Sequence, residues 1–442
     1  MTARLDETLA EFPATRVLVI GYVWPEPRSS AASGHVMQLL ECFAEQGWQI
    51  TFASPAREGE RRADLTSMGI AEVDIELNSS SFDAFISELE PEVVLFDQFL
   101  MEEQFGWRVE KHAPQALRVL ETCDLQSLRH CRHQMLKDLL KRSDSDDSDN
   151  ERYKALFAAP DAGLFARMAV TDLAQRELAS FYRCDLSLVV SDVEIDFLTR
   201  YFNVPETLLH WCPLMLRDLA PRFKAFDERE HFLTIGNFRH APNWDAVLWL
   251  KNTLWPLIRR QLPAAQLHIY GAYTPPKATS LHNPSQGFHI MDWAQDAHEV
   301  MSAARISLAP LRFGAGIKGK IIDAMACGTP TVTTPIGAEG MHGELPFPGA
   351  IASDAQSLAN HAVQLYQDRE RWERAQCEGL DVLRSRFSQQ QHCATLVARI
   401  NQLRETLAEH RIANFTGTLL RHHQHKSTQY MAQWIEAKNR LT

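Results

Sequence analysis

Residues 305–340 read RISLAPLRFGAGIKGKIIDAMACGTPTVTTPIGAEG, in which a strand, a glycine- and lysine-rich loop, a helix and a second strand follow one another. The helix predicted over residues 320–326 ends before Gly328, a residue suited to the left-handed conformation after a helix. The β-branched run 331–334 then predicts the next strand. Because a helix N-terminus preceded by glycines and lysines favours an anion, the stretch predicts a phosphate-binding loop in an α/β unit.

Outward from this stretch, short apolar runs alternate with amphipathic segments. Strands are predicted at residues 16–24, 49–54, 72–77, 92–99, 117–122, 186–190, 207–211, 232–235 and 266–270, besides those at 306–309 and 331–334. Helices are predicted at 35–48, 82–89, from about 125, and at 165–182, 193–202, 298–303, 354–384, 388–410 and 414–440. This alternation is typical of βαβ units. It predicts an α/β protein with two Rossmann-like domains, whose parallel sheets face each other across a ligand-binding cleft.

Prolines and charged residues separate the two series of elements. Pro213, Pro221 and the charged run 227–230 mark a linker, which predicts domains at residues 1–222 and 223–410. The polar stretch 141–152 contains a run of acids and predicts a solvated loop.

Composition narrows the class of protein. The net charge of −11 argues against a nucleic-acid partner, because binding to phosphates along a duplex needs a basic excess. The eight cysteines and the histidines show no metal-ligand spacing, so reduced thiols and no metal site are expected. The first residues lack the apolar region of a secretory signal, and no apolar run reaches the length of a membrane span. A cytoplasmic protein is predicted.

The glycine–lysine loop fits two general nucleotide motifs imperfectly. Its three glycines fit a dinucleotide fingerprint, with Glu339 at the distance of a ribose-binding acid. However, the loop comes late in the chain and does not turn directly out of its strand. Gly314 to Lys320 is also close to a P-loop, but Ile321 stands where a magnesium-binding hydroxyl is required.

A third interpretation uses Lys320 and Asp323, which lie three residues apart on one face of the helix. The lysine could meet a diphosphate, and the aspartate could accept hydrogen bonds from the two hydroxyls of a ribose. This pair suits a nucleotide-diphosphate sugar bound between two α/β domains. A plain surface ion pair explains the same spacing, so these residues alone leave both interpretations open.

The segment from Asp323 to Pro330, DAMACGTP, resembles the donor-site segment of retaining GT-B glycosyltransferases of family 4, the glycosyl transferases group 1. In that family the acid at the position of Asp323 binds the ribose of the donor nucleotide. An earlier acid lies near the transferred sugar, and here Ala315 stands at its position. Lys320 matches a lysine found in family variants. The resemblance covers essentially the whole chain and implies the GT-B fold.

Other segments carry the same resemblance. Residues 235–250, IGNFRHAPNWDAVLWL, are similar to the opening of the family's C-terminal domain and imply that Arg239 contacts the diphosphate. The tripeptide SGH at 33–35 resembles the glycine loop that approaches the donor phosphates. ETCDLQSLR at 121–129 resembles an Asp-x-x-Asp-Leu-His segment, with Gln126 in place of the histidine.

The residues and the resemblance together predict a site that stabilises a departing diphosphate. The predicted catalytic residues are Lys318, Lys320 and Arg239. The predicted donor-binding residues are Gly34, His35, Gly236, Trp293, Gly314, Gly316 and Asp323, with Trp293 lining a base pocket and no metal ligand among them.

The resemblance implies transfer of a sugar from a UDP- or GDP-sugar to a glycan, lipid-linked or protein acceptor, with retention and with no metal or cofactor. Domain 1–222 would take the acceptor and domain 223–410 the donor. Residues 411–442 are expected to form a helix that packs back on the N-terminal domain; peripheral contact with the inner face of a membrane stays a second interpretation. The implied role is cell-envelope polysaccharide biosynthesis. A non-catalytic nucleotide-sugar-binding protein of the same fold is the alternative, motivated by Ala315 and Gln126.

Overall fold

The computed structural model describes residues 14–141, 149–217, 223–422 and 426–440, which form two parallel β-sheets flanked by helices. The strands in these ranges are β1 Arg16–Ile20, β2 Gln49–Ser54, β3 Ala71–Asp74, β4 Val93–Asp97, β5 Leu117–Glu121, β6 Leu186–Val189, β7 Leu209–Trp211, β8 Glu230–Ile235, β9 Leu267–Tyr270, β10 Phe288–Asp292, β11 Ala304–Ala309, β12 Thr331–Thr333 and β13 Gly349–Ile351.

Helices cover both sheets. Those of the first half are α1 Ala31–Glu45, α2 Ser81–Leu89, α3 Phe99–His112, α4 Gln126–Lys141, α5 Asp149–Phe157, α6 Asp161–Met168, α7 Asp172–Arg183 and α8 Asp192–Phe202. Those of the second half are α9 Ala241–Trp249, α10 Trp255–Gln261, α11 Pro276–Thr279, α12 Ala297–Ala303, α13 Gly319–Ala326, α14 Pro335–Ala338, α15 Ala355–Gln367, α16 Arg369–Arg386, α17 Gln389–Glu405, α18 Leu407–Ala413, α19 Phe415–Leu420 and α20 Lys426–Asn439. A π-helical segment, Leu250–Leu254, joins α9 to α10.

The N-terminal sheet has the strand order β3-β2-β1-β4-β5-β6-β7, with parallel pairs throughout. Val17 and Val19 of β1 pack with α1 and α17 on one face of this sheet. Leu18 and Ile20 pack with α2 and α3 on the other face. The continuous apolar run of β1 is therefore explained by helices on both faces of a parallel sheet.

The C-terminal sheet has the order β10-β9-β8-β11-β12-β13, also parallel. Phe232 and Ile306 pack against α10 and α15 on one face, and Leu233 packs against α12 and α13 on the other. In each sheet the strand order reverses beside the unit's first strand, and the loops that diverge there form a crevice. The predicted pair of parallel-sheet α/β units is confirmed.

Several predicted helices are divided or shifted in the structure. The helix predicted at 165–182 is two helices, because Thr171 caps a new helix, α7, with its side chain. The helix predicted at 354–384 is interrupted at Asp368, whose carboxylate accepts from the amide of Arg371 at the start of α16. Helix α3 was not predicted, since its first residues continue the apolar run of β4.

The predicted solvated loop at 141–152 lies largely outside the described residues, and α5 begins at Asp149. The helices on both sides of this stretch contact the C-terminal unit. Leu136 of α4 and Tyr153 of α5 belong to the core that contains Phe232. The Arg312 guanidinium donates to the Tyr153 hydroxyl at 2.8 Å. Helices α4 and α5 therefore link the two units on one side of the cleft.

The chain returns to the N-terminal unit earlier than residue 411. Leu396 and Ile400 of α17 are fully buried with Val17 of the N-terminal sheet. A disulfide also joins Cys42 of α1 to Cys393 of α17, with Cα atoms 5.7 Å apart. The return therefore begins near the start of α17. The expectation that every thiol is reduced is wrong for this pair, whereas the other six cysteines are free.

The last helices also lie on the N-terminal unit. Helix α19 packs on α7, and α20 packs on α3. The Ser80 hydroxyl donates to Glu436 Oε1 of α20 at 2.6 Å. Across the ranges that the structure describes, no helix has both the length and the apolar character needed to cross a membrane.

Candidate functional site

The loop between β11 and α13 reaches from the C-terminal unit into the N-terminal one. Gly316 has a φ of +62°, a conformation that favours glycine. A Cβ at this position would lie 2.9 Å from Asp124 Cβ and 3.2 Å from Val190 Cγ2, both in the N-terminal unit. Ala315 is buried in the N-terminal core. The predicted phosphate loop therefore lies at the interface of the two units, and its methyl group at 315 is packed in the N-terminal core.

Two polar groups of this loop are bound within the protein. The Gly316 amide donates to Glu194 Oε1 at 2.6 Å, and Lys318 Nζ donates to the carbonyl oxygen of Gly316. Burial, with Asp124 nearby, raises the pKa of the Glu194 carboxyl to about 8. Burial also lowers the pKa of the Lys318 ammonium. Lys318 is thus turned into its own loop, and its catalytic role stays a prediction that requires the loop to rearrange.

Lys320, at the start of α13, meets the loop after β8. Its Nζ donates to Asn243 Oδ1 at 2.5 Å, and burial lowers its pKa to about 8. A Cβ on Gly236 would lie 2.6 Å from Asn243 Nδ2 and 2.8 Å from Lys320 Nζ. Any larger residue at position 236 would therefore displace the contact between Lys320 and Asn243. The structure therefore brings together two of the predicted residues, Lys320 and Gly236. Asn243 was missed, although it lies in the Pro-Asn-x-Asp segment that carries the resemblance.

Asp323 faces His298 on the adjacent helix α12. The Asp323 Oδ1 and His298 Nε2 atoms are 3.8 Å apart, and both side chains are partly exposed. Interaction with Asp323 raises the pKa of His298. The sequence prediction did not include His298, whose only signal is its position just after Asp296, the residue that caps α12. Asp323 is accessible to a ligand, and His298 lies close enough to contact the same ligand.

Arg239 and Trp293 lie on neighbouring loops at the edge of the cleft. The Arg239 guanidinium lies 3.6 Å from the centre of the Tyr273 ring. The indole nitrogen of Trp293 donates to the carbonyl oxygen of Arg28 at 3.4 Å, across the cleft. The Arg61 guanidinium lies over both rings, at 4.9 Å from Tyr273 and 4.8 Å from Trp293. This aromatic–arginine group was not predicted from the sequence beyond Arg239 and Trp293.

Gly34 and His35 lie in the first turns of α1 rather than in a loop. The Gly34 amide donates to the Ser30 carbonyl at 3.1 Å, and a Cβ there would meet open space. The buried His35 ring has Nδ1 3.1 Å from Glu121 Oε1 and Nε2 3.8 Å from Cys212 Sγ. Burial alone would lower the pKa of His35. The charge of Glu121 and the hydrogen bonds outweigh this effect and raise the pKa of His35 to about 10. The His35 side chain faces the core, and its contact with the donor stays a prediction.

Arg132 of α4 connects the N-terminal unit to the loop and to Glu339. Its guanidinium donates to both carboxylate oxygens of Glu339, at 2.9 and 2.7 Å, and to the Gly314 carbonyl at 2.9 Å. Burial alone would raise the pKa of Glu339, but the charge of Arg132 outweighs this effect and lowers it. Glu339 is therefore committed to an ion pair and is not the ribose acid of a dinucleotide site. The described residues include no group of three or more His, Cys, Asp or Glu side chains suited to a metal ion.

Part of this chain matches a model of a known protein family. Residues 229–368, which contain the β8–α9 loop, the glycine–lysine loop and Asp323, match the family model described as glycosyl transferases group 1. A comparison with curated proteins gave no match.

Several solved structures share the two-unit architecture of this chain. Sucrose-phosphate synthase from Thermosynechococcus elongatus is 16% identical, with 88% of this chain and 99% of that chain covered and a TM-score of 0.61. A glycosyltransferase from Rickettsia africae is 10% identical, with coverage of 89% and 99% and a TM-score of 0.62. HepE of Anabaena, in complex with UDP and glucose, is 12% identical, with coverage of 89% and 99% and a TM-score of 0.59. The chain therefore has the GT-B fold.

Proposed function

We propose that this protein is a glycosyltransferase that moves a sugar from a UDP- or GDP-sugar to a carbohydrate, lipid-linked or protein acceptor. The observation that carries the proposal is the contact of Lys320 with Asn243 and Gly236 at the start of α13, beside the glycine loop. A lysine at a helix N-terminus with glycines around it suits a diphosphate. Because HepE is described in complex with UDP and glucose, UDP-glucose is the first donor to test.

In the proposed reaction, negative charge grows on the diphosphate as its bond to the sugar breaks. Lys320, Arg239 and the N-terminus of α13 stabilise that charge, which is electrostatic catalysis of a leaving group. Asp323 accepts hydrogen bonds from the ribose, and Trp293 lines the base pocket. Glu194 releases the Gly316 amide so that a phosphate oxygen can take its place. Retention and independence of metal belong to the proposal through the family resemblance.

Donor turnover and donor binding test this proposal separately. The purified full chain is incubated with UDP- and GDP-sugars, and release of the nucleotide is measured together with the affinity for UDP and GDP. We expect binding of one nucleotide, and slow hydrolysis of its sugar without an acceptor. Lys320→Ala should weaken that binding about tenfold or more, because a charge-assisted contact is lost. The control is Lys438→Ala, on an exposed part of α20, which should bind as the wild type does. Unchanged binding by Lys320→Ala would remove the lysine from the mechanism.

One observation favours a second candidate, a non-catalytic nucleotide-sugar-binding protein. At position 315, where the resembled family carries an acid near the transferred sugar, this chain has a methyl group packed in the N-terminal core. That position therefore supplies no carboxylate to the cleft. A protein that binds nucleotide sugars but neither transfers nor hydrolyses any of them would support this second candidate.

We also propose that the protein acts in the cytoplasm, at the inner face of a membrane, in cell-envelope polysaccharide biosynthesis. The observation that supports the membrane contact is a group of exposed apolar side chains on α18, α19 and α20. Its members are Ile412, Phe415, Leu419, Tyr430, Met431 and Trp434. Exposed aromatic and aliphatic side chains on terminal helices suit the interfacial region of a bilayer.

A further inference from the structure

A cavity of about 320 Å³ lies between the two units, beside the candidate donor site. One wall is the first half of α4, in the N-terminal unit. The opposite wall is the loop from β8 to α9, in the C-terminal unit, together with Phe313. This volume is in the range of small-molecule sites and is sufficient for a sugar phosphate. We call it the α4–α9 cavity.

Basic side chains dominate the polar lining of the α4–α9 cavity. They are Arg129, His130 and His133 on the α4 side, and Arg239 and His240 on the other. The lining includes no aspartate or glutamate. The first residues of α9 also line the cavity, and a helix N-terminus adds a partial positive charge. The cavity therefore has the electrostatic character of an anion site.

The two arginines are held in different ways. Arg129 forms an ion pair with Asp124, which fixes its position and offsets part of its charge. Arg239 lies over the Tyr273 ring, and no carboxylate of the described ranges forms an ion pair with it. A bound anion would therefore meet one positioned arginine and one whose charge is uncompensated by an ion pair.

Imidazoles complete the polar lining. His133 stacks on Phe313 of the opposite unit, with parallel rings 4.3 Å apart. Burial and the charge of Lys137 lower the pKa of His133. Desolvation, Arg129 and the two loop lysines lower the pKa of His240 to about 3. Both rings are therefore neutral at pH 7, when each has one N–H that can donate to an anion.

The cavity lies beside the proposed diphosphate contacts at the start of α13 and shares Arg239 with them. Neither Lys318 nor Lys320 lines it, because the first bonds to its own loop and the second to Asn243. Arg129 and His133 belong to the N-terminal unit, which the family resemblance assigns to the acceptor. A donor diphosphate at α13 would leave these two side chains free to bind a second ligand.

We propose that the α4–α9 cavity binds an anionic group of the acceptor, with the chemistry of a phosphate monoester. The inference rests on the proposed glycosyltransferase function, because only that function gives the protein an acceptor. It names the class of acceptor, an anionic sugar or lipid-linked sugar in place of a neutral glycan. Arg129 and Arg239 supply the charge, with Arg239 shared between this group and the donor diphosphate, and His133 donates one hydrogen bond.

The test measures binding of glucose 6-phosphate to the full chain by calorimetry, with and without saturating UDP, and with glucose as the neutral probe. We expect glucose 6-phosphate to bind while UDP is bound, and glucose to bind far more weakly. Arg129→Gln and His133→Leu should each weaken the binding of glucose 6-phosphate about tenfold. Each should leave the affinity for UDP within about twofold of the wild type. The control is Arg200→Gln, an arginine paired with Asp196 on α8, outside the cavity lining.

The outcomes separate this inference from the proposed function. Competition between UDP and glucose 6-phosphate, or an equal loss of UDP affinity in Arg129→Gln, would assign the cavity to the donor and overturn the inference. Equal binding of glucose and glucose 6-phosphate, or no binding of either, would also overturn it. If Arg129→Gln does not fold, His133→Leu decides alone, because it leaves no unpaired charge. Failure of the proposed function would be seen instead as absence of nucleotide binding and turnover.

Discussion

Two glycines of the candidate site differ in what a methyl group would meet. Gly316 has a positive φ and less than van der Waals space beside Asp124, whereas Gly34 is helical and has open space. We expect Gly316→Ala to lower the free energy of unfolding by about 1–3 kcal/mol, through backbone strain and overpacking. Gly34→Ala is the matched control. It should raise the free energy of unfolding by about 0.5–1 kcal/mol, because alanine favours the helix. Chemical denaturation measures both. Equal stabilities of Gly316→Ala and the wild type would contradict the close approach of the two units.

The Glu194 carboxyl gives a prediction of pH dependence. Its pKa is raised by burial from 4.5 to about 8. Between these values the folded protein holds a proton that the unfolded chain has released, so this group contributes stability that falls as the pH rises. Relative to Glu194→Gln, which does not titrate, we expect the wild type to lose stability steadily between pH 5 and pH 8. Denaturation of both proteins at several pH values measures the difference, which isolates Glu194 from other titrating groups. If the difference in stability between the two proteins does not change with pH, the folded protein does not hold Glu194 in its protonated form.

At the scale of elements, the sequence predicted the order of strands and helices better than their limits. The strand at 49–54 agrees with β2, and the helix at 320–326 agrees with α13 to within one residue. Periodicity identifies such elements because it reports which side chains are buried. It does not report a capped break such as the one at Asp368, since residues on both sides stay amphipathic.

The candidate site was predictable where its residues share one local motif. Lys320 and Asp323 lie on a single helix, whose spacing and resemblance are visible in the sequence. Glu194 and Arg132 come from distant helices, and only the packing of the two units brings them to the loop. The burial of the His35 ring could not be predicted for the same reason, because its partner Glu121 is 86 residues away in the chain.

The terminal helices α18 to α20 form an element whose exposed side can be tested. Phe415 is 64% exposed and Trp434 60% exposed. If this surface contacts lipid, the double substitution Phe415→Ser and Trp434→Ser should weaken partitioning about tenfold or more, because apolar area is lost from the interface. Flotation with vesicles of phosphatidylglycerol and phosphatidylcholine measures the partitioning. The control is Met291→Ser, which removes an exposed apolar side chain from the C-terminal unit. A wild type that does not float would refute the proposed membrane contact.

At the scale of the molecule, the contacts that join the two units also use polar backbone groups of the glycine loop. The Gly316 amide is bonded to Glu194, and the Gly314 carbonyl to Arg132, both from the N-terminal unit. A donor phosphate that uses the loop amide must therefore displace a contact between units. It follows that donor binding in the proposed function is coupled to the separation of the two units, as expected for an enzyme that opens to load its substrate.

The ion pair between Arg132 and Glu339 is the contact to remove in a test of this coupling. We expect Arg132→Gln to separate the two units in part, because a bidentate pair and a bond to the loop are lost. The radius of gyration in solution should increase, and UDP should associate faster, about severalfold, because the loop amide is easier to reach. Small-angle scattering and stopped-flow binding measure the two quantities. The matched control is Arg176→Gln, which breaks a bidentate pair with Glu103 inside the N-terminal unit. If both variants bind UDP at the wild-type rate, the cleft contacts do not control access to the loop.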